Sequence, residues 1–216
     1  MTRRLLVVAL GVFLIFPALA TAAAITRSAA GASPASIQAA VDQFRADFGG
    51  ANNGVGGTFP GGRREINWDG VPDTASSPNA LPANFFNSNS PRGIVFSTVG
   101  SGFQVSAKAG NPTTTAVRFA NLNANYSNDF QTFSPERLFT AIGSNVTDVV
   151  FFLPGTTNPA VVSGFGAVFT DVDSATSTSL QFYDQSGASL GTFAVPALAA
   201  GSQNLSFLGV SFNGGE

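Results

Sequence analysis

The stretch Gly164-Phe-Gly-Ala-Val-Phe-Thr-Asp-Val-Asp173 decides the fold class, because large apolar side chains alternate in it with small or polar ones. Phe165, Ala167 and Phe169 fall on one side of an extended chain, as a half-buried β-strand requires. The sequence therefore predicts a strand here. Two later segments alternate in the same way and predict further strands: Leu180 and Phe182, then Leu208, Val210 and Phe212.

Short strand patterns separated by turn residues fill the chain from residue 93 onward. Residues 184–187, Asp-Gln-Ser-Gly, separate two of these patterns and predict a β-hairpin. Many short strands at this spacing predict a mostly β domain over residues 93–216, an antiparallel β-sandwich or jelly roll. The predicted strands are 93–98, 103–107, 116–119, 138–142, 146–153, 164–172, 179–183, 190–195 and 205–212.

Residues 33–92 are predicted to form a helix- and loop-rich extension ahead of this domain. Ser33-Pro34 begins the one predicted amphipathic helix, with Ser33 as the cap, and Gly49-Gly50 ends it. Glycine, asparagine, proline and serine dominate residues 49–62 and 70–91, which predicts loops, with one short strand between them at 63–69. The apolar face of the helix is expected to pack on the domain: Ile37, Val41, Phe44 and Phe48.

The first 20 residues have the pattern of a secretory signal peptide. Arg3 and Arg4 precede an apolar run over residues 5–16, and Ala18-Leu-Ala20 follows it, which predicts cleavage after Ala20, with Ala22 or Ala24 as alternatives. The run is shorter than the roughly 20 residues of a membrane-spanning helix, so no stable membrane anchor is expected after cleavage. The chain is predicted to be secreted, extracellular or periplasmic, with residues 21–32 as a flexible leader.

The composition excludes several classes of function. The chain has no cysteine and no histidine, which removes disulfides, Ser-His-Asp and Cys-His nucleophiles, and metal sites built on thiolate or imidazole. No glycine-rich nucleotide motif joins a strand to a helix, so no nucleotide is expected. Removing residues 1–20 leaves eight basic and twelve acidic side chains, a formal charge of −4, which argues against a nucleic-acid partner.

Carboxylates are the remaining candidates for catalysis. Glu65 and Glu136, the only glutamates before the terminal one, could each join an aspartate in a glycosidase pair. The favoured interpretation is that they form surface ion pairs with their neighbours Arg64 and Arg137. Whether the chain has any enzymatic activity therefore stays open, and a non-catalytic role is favoured.

Asp171 and Asp173 form a candidate calcium site. They lie on the same side of a strand end and are followed by Ser174, and hard oxygen ligands suit calcium. The favoured alternative is a solvated turn in which each aspartate accepts hydrogen bonds from nearby backbone amides. Asp148 and Asp184 are weaker additions to the calcium site.

The segment Asn67-Trp-Asp-Gly-Val-Pro-Asp73 carries the only tryptophan of the chain. Trp68 with Asp69 and Asp73 is a candidate ligand-binding site, because an aromatic ring beside acidic acceptors is typical of sugar sites. The favoured alternative buries Trp68 and uses both aspartates to brace the turn, since tryptophan is usually highly buried.

Three stretches resemble uncharacterised secreted bacterial β-sandwich proteins, some of which carry PEP-CTERM sorting tails. They are Gly62-Arg-Arg-Glu-Ile-Asn-Trp-Asp-Gly-Val-Pro-Asp73, Gly164-Phe-Gly-Ala-Val-Phe-Thr-Asp-Val-Asp173 and Leu205-Ser-Phe-Leu-Gly-Val-Ser-Phe212. The resemblance implies a sandwich related in shape to carbohydrate-binding modules, with no established activity. It also implies a further C-terminal segment, so that the chain is expected to be truncated, and a sandwich that lacks its last strand would expose an unpaired edge.

The sequence as a whole predicts an exported, non-catalytic binding or structural module. Its expected partner is an extracellular polysaccharide or matrix, with calcium as the one cofactor considered. Two alternatives are kept: a carboxylate-dependent glycoside hydrolase or lyase, and a scaffold protein of a cell surface or biofilm.

Overall fold

A computed structural model describes residues 23–199, 201 and 203–212 of the chain, so the predicted signal peptide lies outside the described residues. Short 3-10 turns at Trp68–Gly70 and Asp73–Ala75 accompany the main elements. The helices are α1 (Pro34–Asp47), α2 (Phe85–Ser88) and α3 (Tyr126–Asp129). The strands are β1 (Ala24–Gly31), β2 (Ile94–Ser97), β3 (Gly102–Val105), β4 (Phe139–Ile142), β5 (Asp148–Phe151), β6 (Gly164–Thr170), β7 (Ser179–Tyr183), β8 (Ser189–Ala194) and β9 (Leu205–Phe212).

The central sheet places β9 between β1 and β6, antiparallel to both. All eight residues of β1 pair with β9, from Ala24 opposite Phe212 to Gly31 opposite Leu205. The prediction of a flexible leader is therefore wrong over Ala24–Gly31, because β9 supplies a hydrogen-bonding partner for the backbone of this segment. The strand predicted at residues 205–212 is confirmed, and both of its edges are paired.

Different elements cover the two faces of β9, and every residue of this strand is buried. On one face, Leu205 and Phe207 pack against Ile37 of α1. On the other face, Leu208 and Val210 belong to the cluster formed with the β7–β8 hairpin. The result is three layers, with α1 and the hairpin on opposite sides of the sheet.

Glycines in the sheet let α1 approach the backbone closely. A Cβ atom added to Gly209 would lie 2.6 Å from Cδ2 of Phe44, and one added to Gly166 would lie 2.8 Å from Cε1 of the same ring. Gly166 and Gly209 are also paired across β6 and β9. The Phe44 ring therefore occupies space that side chains at these two positions would need.

A second core lies around two small sheets, β2–β5 and β3–β4. Phe85 and Phe86 of α2 share this core with Phe96 of β2 and Phe103 of β3. Packing is therefore continuous across the boundary predicted between residues 92 and 93.

The mostly β prediction is confirmed, and so are α1 and the β7–β8 hairpin. The described strands form four separate antiparallel sheets of two or three strands, which does not confirm a sandwich or jelly roll. Residues 116–119 are not a strand, since only Val117 makes an isolated bridge, to Ala107. Residues 63–69 form no strand either, because the chain turns into a 3-10 helix at Trp68.

Ser33 occupies the N-cap position of α1, as predicted. Ser33 precedes the helix, but its side chain makes no capping hydrogen bond. Its Oγ lies 3.1 Å from Oγ of Ser36 instead.

We expect Gly209→Ala to lower the free energy of unfolding by about 1–3 kcal/mol, because the new methyl group overpacks the contact with Phe44. Urea denaturation of the two proteins measures the change. Gly70→Ala is the matched control, since its added Cβ has no heavy atom within 4 Å and its φ is not positive. Equal losses in the two variants would contradict the close-packing argument.

Candidate functional site

Trp68 is part of the second core. Its ring stacks on Phe139, with centroids 4.4 Å apart and planes inclined by 4°, and it meets Phe86 edge-on at 5.4 Å. It also packs against the buried cluster that contains Phe96. These contacts agree with the alternative in which Trp68 packs inward, because the ring packs against the chain's own aromatic side chains.

Asp69 and Asp73 hold the segment that contains Arg137. Asp69 Oδ1 accepts hydrogen bonds from the backbone N–H groups of Glu136, at 2.9 Å, and Arg137, at 3.0 Å. Asp73 Oδ1 accepts one from Nη2 of Arg137 at 2.6 Å. Both aspartates therefore brace the chain, as the structural alternative predicted.

Arg137 is the centre of this network, and its side chain is only 1% exposed. Its Nη1 donates to Oγ of Ser76 at 2.7 Å and to the carbonyl of Ser106 at 2.8 Å. We call these residues, together with Asp69 and Asp73, the Arg137 network. Because a buried charge requires a partner, Asp73 is needed for the stability of this region.

The predicted ion pairs of the two glutamates are wrong. Glu65 accepts hydrogen bonds from Arg63 at 2.6 Å and Arg45 at 2.8 Å, and Arg137 pairs with Asp73. Burial disfavours the ionised form of Glu65, but the hydrogen bonds from Arg63 and Arg45 outweigh it and lower the pKa of this carboxyl. Glu65 is therefore a poor general acid, which must hold a proton near neutral pH.

Asp171 lies in an unfavourable environment for a carboxylate. Its Oδ1 is buried and has no hydrogen-bond partner among the described residues, and its backbone is left-handed with φ 60°. Burial raises the pKa of Asp171, and the negative charges of Asp173 and Asp129 raise it further. Asp173 is exposed, and its Oδ1 accepts a hydrogen bond from Nδ2 of Asn204 at 3.1 Å.

The calcium site at Asp171 and Asp173 stays a prediction. Within residues 23–199, 201 and 203–212, no group of three or more histidine, cysteine, aspartate or glutamate side chains is placed to hold a metal ion. Asp184 Oδ1 accepts hydrogen bonds within its own hairpin loop, from the N–H groups of Ser186 and Ala188. Asp148 lies 3.3 Å from Oγ of Ser97 in the β2–β5 sheet.

Two clefts that the sequence did not predict lie beside each other. The polar cleft has a volume of about 350 Å³ and the apolar cleft about 300 Å³. The polar side chains of the polar cleft are Arg118, Gln131, Thr132, Glu136 and Gln203. The largest side chains of the apolar cleft are Phe119, Leu122, Tyr126, Phe130, Leu138 and Ile142.

The two clefts share a wall made of consecutive residues. Arg118 lines the polar cleft and Phe119 the apolar cleft, and both have left-handed backbones, with φ 49° and 63°. Nη1 of Arg118 donates to the carbonyl of Phe130 at 3.0 Å, which ties this wall together. No sequence pattern signals a left-handed arginine, so sequence reasoning missed the site.

Comparison of the chain with protein-family models, with curated proteins and with solved structures found no match. Among the described residues, no helix combines the length and hydropathy needed to cross a lipid bilayer.

We expect Arg137→Met to lower the free energy of unfolding by about 1–3 kcal/mol, because it leaves Oγ of Ser76, the carbonyl of Ser106 and the carboxylate of Asp73 without their donor. Chemical denaturation measures the loss. Arg27→Met is the control, since Arg27 also pairs with an aspartate, Asp47, but at the surface, where an ion pair adds little stability. A small loss in Arg137→Met would contradict the stabilising role of the network.

Asp171→Asn is expected to raise the melting temperature at about pH 7 and to leave it nearly unchanged at about pH 3. Folding raises the pKa of Asp171 above 3.8. Below that value the carboxyl is neutral and the folded state keeps its full stability. As pH rises through the raised pKa, ionisation of the carboxyl lowers the free energy of unfolding. Asparagine tolerates the left-handed backbone and carries no charge. Melting curves in chelator at both pH values measure the difference, and a destabilised variant at neutral pH would contradict it.

The double variant Asp171→Asn/Asp173→Asn tests calcium. If Asp171 and Asp173 bind the ion, millimolar calcium raises the melting temperature of the native chain but not that of Asp171→Asn/Asp173→Asn, because a ligand of the folded state stabilises it. Equal melting curves with and without calcium for the native chain would contradict this prediction.

Proposed function

We propose that the chain is an exported, non-catalytic module that binds an extracellular polysaccharide or matrix. The observation that carries the proposal is the distribution of carboxylates around the two clefts. Among the residues that the structure describes, none of the lining side chains of the apolar cleft is a carboxylate, and Glu136 is the one carboxylate that lines the polar cleft. Glycoside hydrolysis commonly needs two carboxyl groups facing one substrate, so these clefts favour binding over turnover.

The hydrogen bonds and ion pairs of three other acidic side chains support the same proposal. Glu65 is held by two arginines, and Asp69 and Asp73 belong to the Arg137 network. These groups stabilise the chain and leave few candidates for proton transfer. Together with the lack of histidine and cysteine, this use of carboxylates makes the carboxylate-type enzyme the weaker alternative.

The proposal includes export of the chain and a β-sandwich or jelly-roll fold. Export is supported by the charged, apolar and small-residue order of residues 1–20. A β-sandwich or jelly roll related to the proteins that the chain resembles is supported by the packing of the β7–β8 hairpin face to face on the central sheet.

A surface scaffold is the second candidate function. Within the described residues, β1 and β6 each pair with β9 on one side only, so they form the two outer edges of the central sheet. Unpaired strand edges can pair with another chain and so favour assembly.

A binding experiment on the full chain, produced with its predicted signal peptide and purified after export, tests the proposal. We expect its migration to be retarded in native gels that contain hydroxyethylcellulose, xylan or galactomannan, and we expect no new reducing ends from these polymers. Release of reducing ends that is lost in Glu136→Gln would favour the enzyme instead. Unretarded migration with concentration-dependent sedimentation would favour the scaffold.

A further inference from the structure

The polar cleft is lined by two residues in an unfavourable backbone conformation. Arg118 has φ 49° and Gln203 has φ 66°, in the region that glycine adopts more readily than any residue with a side chain. Such conformations persist only where the surrounding structure imposes them, and they cluster at ligand sites. Both side chains line the same cleft, so this cleft is a candidate ligand site.

Arg118 and Glu136 bring opposite charges to this cleft without neutralising each other. No ion pair joins them among the described residues. Arg118 uses Nη1 to bind the carbonyl of Phe130, at 3.0 Å. Glu136 is exposed, and its backbone N–H is held by Asp69. The cleft therefore offers a charged donor and a charged acceptor on anchored backbone.

Gln131, which also lines this cleft, is held in place by three hydrogen bonds. Its backbone N–H donates to Oγ1 of Thr170 at 2.9 Å, and its Nε2 donates to the carbonyl of Ala32 at 3.1 Å and to that of Gln203. One residue thus ties the cleft to the ends of β1 and β6 and to the segment before β9. A fixed cleft binds with a smaller loss of conformational freedom than a mobile one.

We propose that the polar cleft binds a neutral saccharide, with Arg118 donating to one hydroxyl and Glu136 accepting from another. This proposal rests on the proposed binding function and names its site. A sugar hydroxyl can both donate and accept, so two hydroxyls of one sugar can satisfy both side chains. The volume of about 350 Å³ lies within the range of roughly 300–1,000 Å³ typical of small-ligand sites.

The charge balance favours a neutral saccharide over an acidic one. An acidic sugar would meet the carboxylate of Glu136, and the chain after residue 20 has a formal charge of −4. Hydrogen bonds between charged side chains and neutral hydroxyls are stronger than those between neutral partners. The cleft can therefore recognise a hydroxyl pair without requiring a charge on the ligand.

Arg118→Gly separates binding from stability. Glycine adopts the left-handed conformation readily, which offsets the lost hydrogen bond to the carbonyl of Phe130, so we expect the variant to stay folded with a melting temperature close to that of the native chain. Loss of the guanidinium is expected to weaken polysaccharide binding about tenfold or more, the size of a lost charge-assisted hydrogen bond. Thr114→Gly is the matched control: Thr114 has φ 52°, is exposed, and does not line the cleft.

The experiment measures retardation of the full chain in gels containing hydroxyethylcellulose, xylan or galactomannan, together with melting temperatures. Support requires retardation of the native chain and of Thr114→Gly, and its loss in Arg118→Gly. Native-like retardation of Arg118→Gly overturns the cleft proposal and leaves the binding function standing. Absence of retardation for the native chain overturns the binding function itself.

Two further arms complete the test. If Arg118→Gly does not fold, Arg118→Met replaces it, since methionine keeps an apolar stem but has no hydrogen-bond donor. We expect it to bind more weakly than the native chain, and equal binding would overturn the proposal. If glycine as a free zwitterion raises the melting temperature of the native chain and not that of the Arg118 variant, the ligand is an amino acid and the saccharide proposal is wrong.

Discussion

Burial of β9 on both faces and pairing along both edges is the constraint on which the rest of the structure depends. A buried strand needs partners for all of its backbone N–H and C=O groups, and β1 and β6 supply them. It also needs apolar cover on two sides, which α1 and the β7–β8 hairpin provide. This burial has a cost, since Oγ of Ser206 is buried and has no hydrogen-bond partner within the part of the chain that the structure describes.

The elements that the sequence predicted well are those with a strong local signal. The alternation in β6, β7 and β9 and the apolar spacing in α1 depend on neighbouring residues alone. β1 has no such signal, because Ala-Ile-Thr-Arg-Ser-Ala-Ala-Gly is rich in small residues. Its extended conformation depends on β9, far away in sequence, and a non-local partner overrides local propensity. The division into separate small sheets was unpredictable for the same reason.

The candidate sites also differ in whether they depend on neighbouring residues or on residues far away in sequence. Residues 67–73 were correctly singled out as distinctive, and the favoured structural interpretation of Trp68, Asp69 and Asp73 agrees with their contacts. Their partner Arg137 lies in another part of the sequence, so the network could not be predicted. The polar cleft was missed because it depends on a left-handed backbone at Arg118, within the ordinary sequence Thr-Ala-Val-Arg-Phe.

The pairing of β1 with β9 also has a consequence for synthesis and translocation. The ribosome and a secretion channel both deliver a polypeptide from its N-terminus, so Ala24 emerges first and waits until Phe212 has followed. Neither edge of β9 can pair, and α1 has no sheet to pack on, before residues 205–212 have been delivered. With the export proposed above, the central sheet stays unfolded during transfer, which is the state that a narrow channel for extended chains accepts.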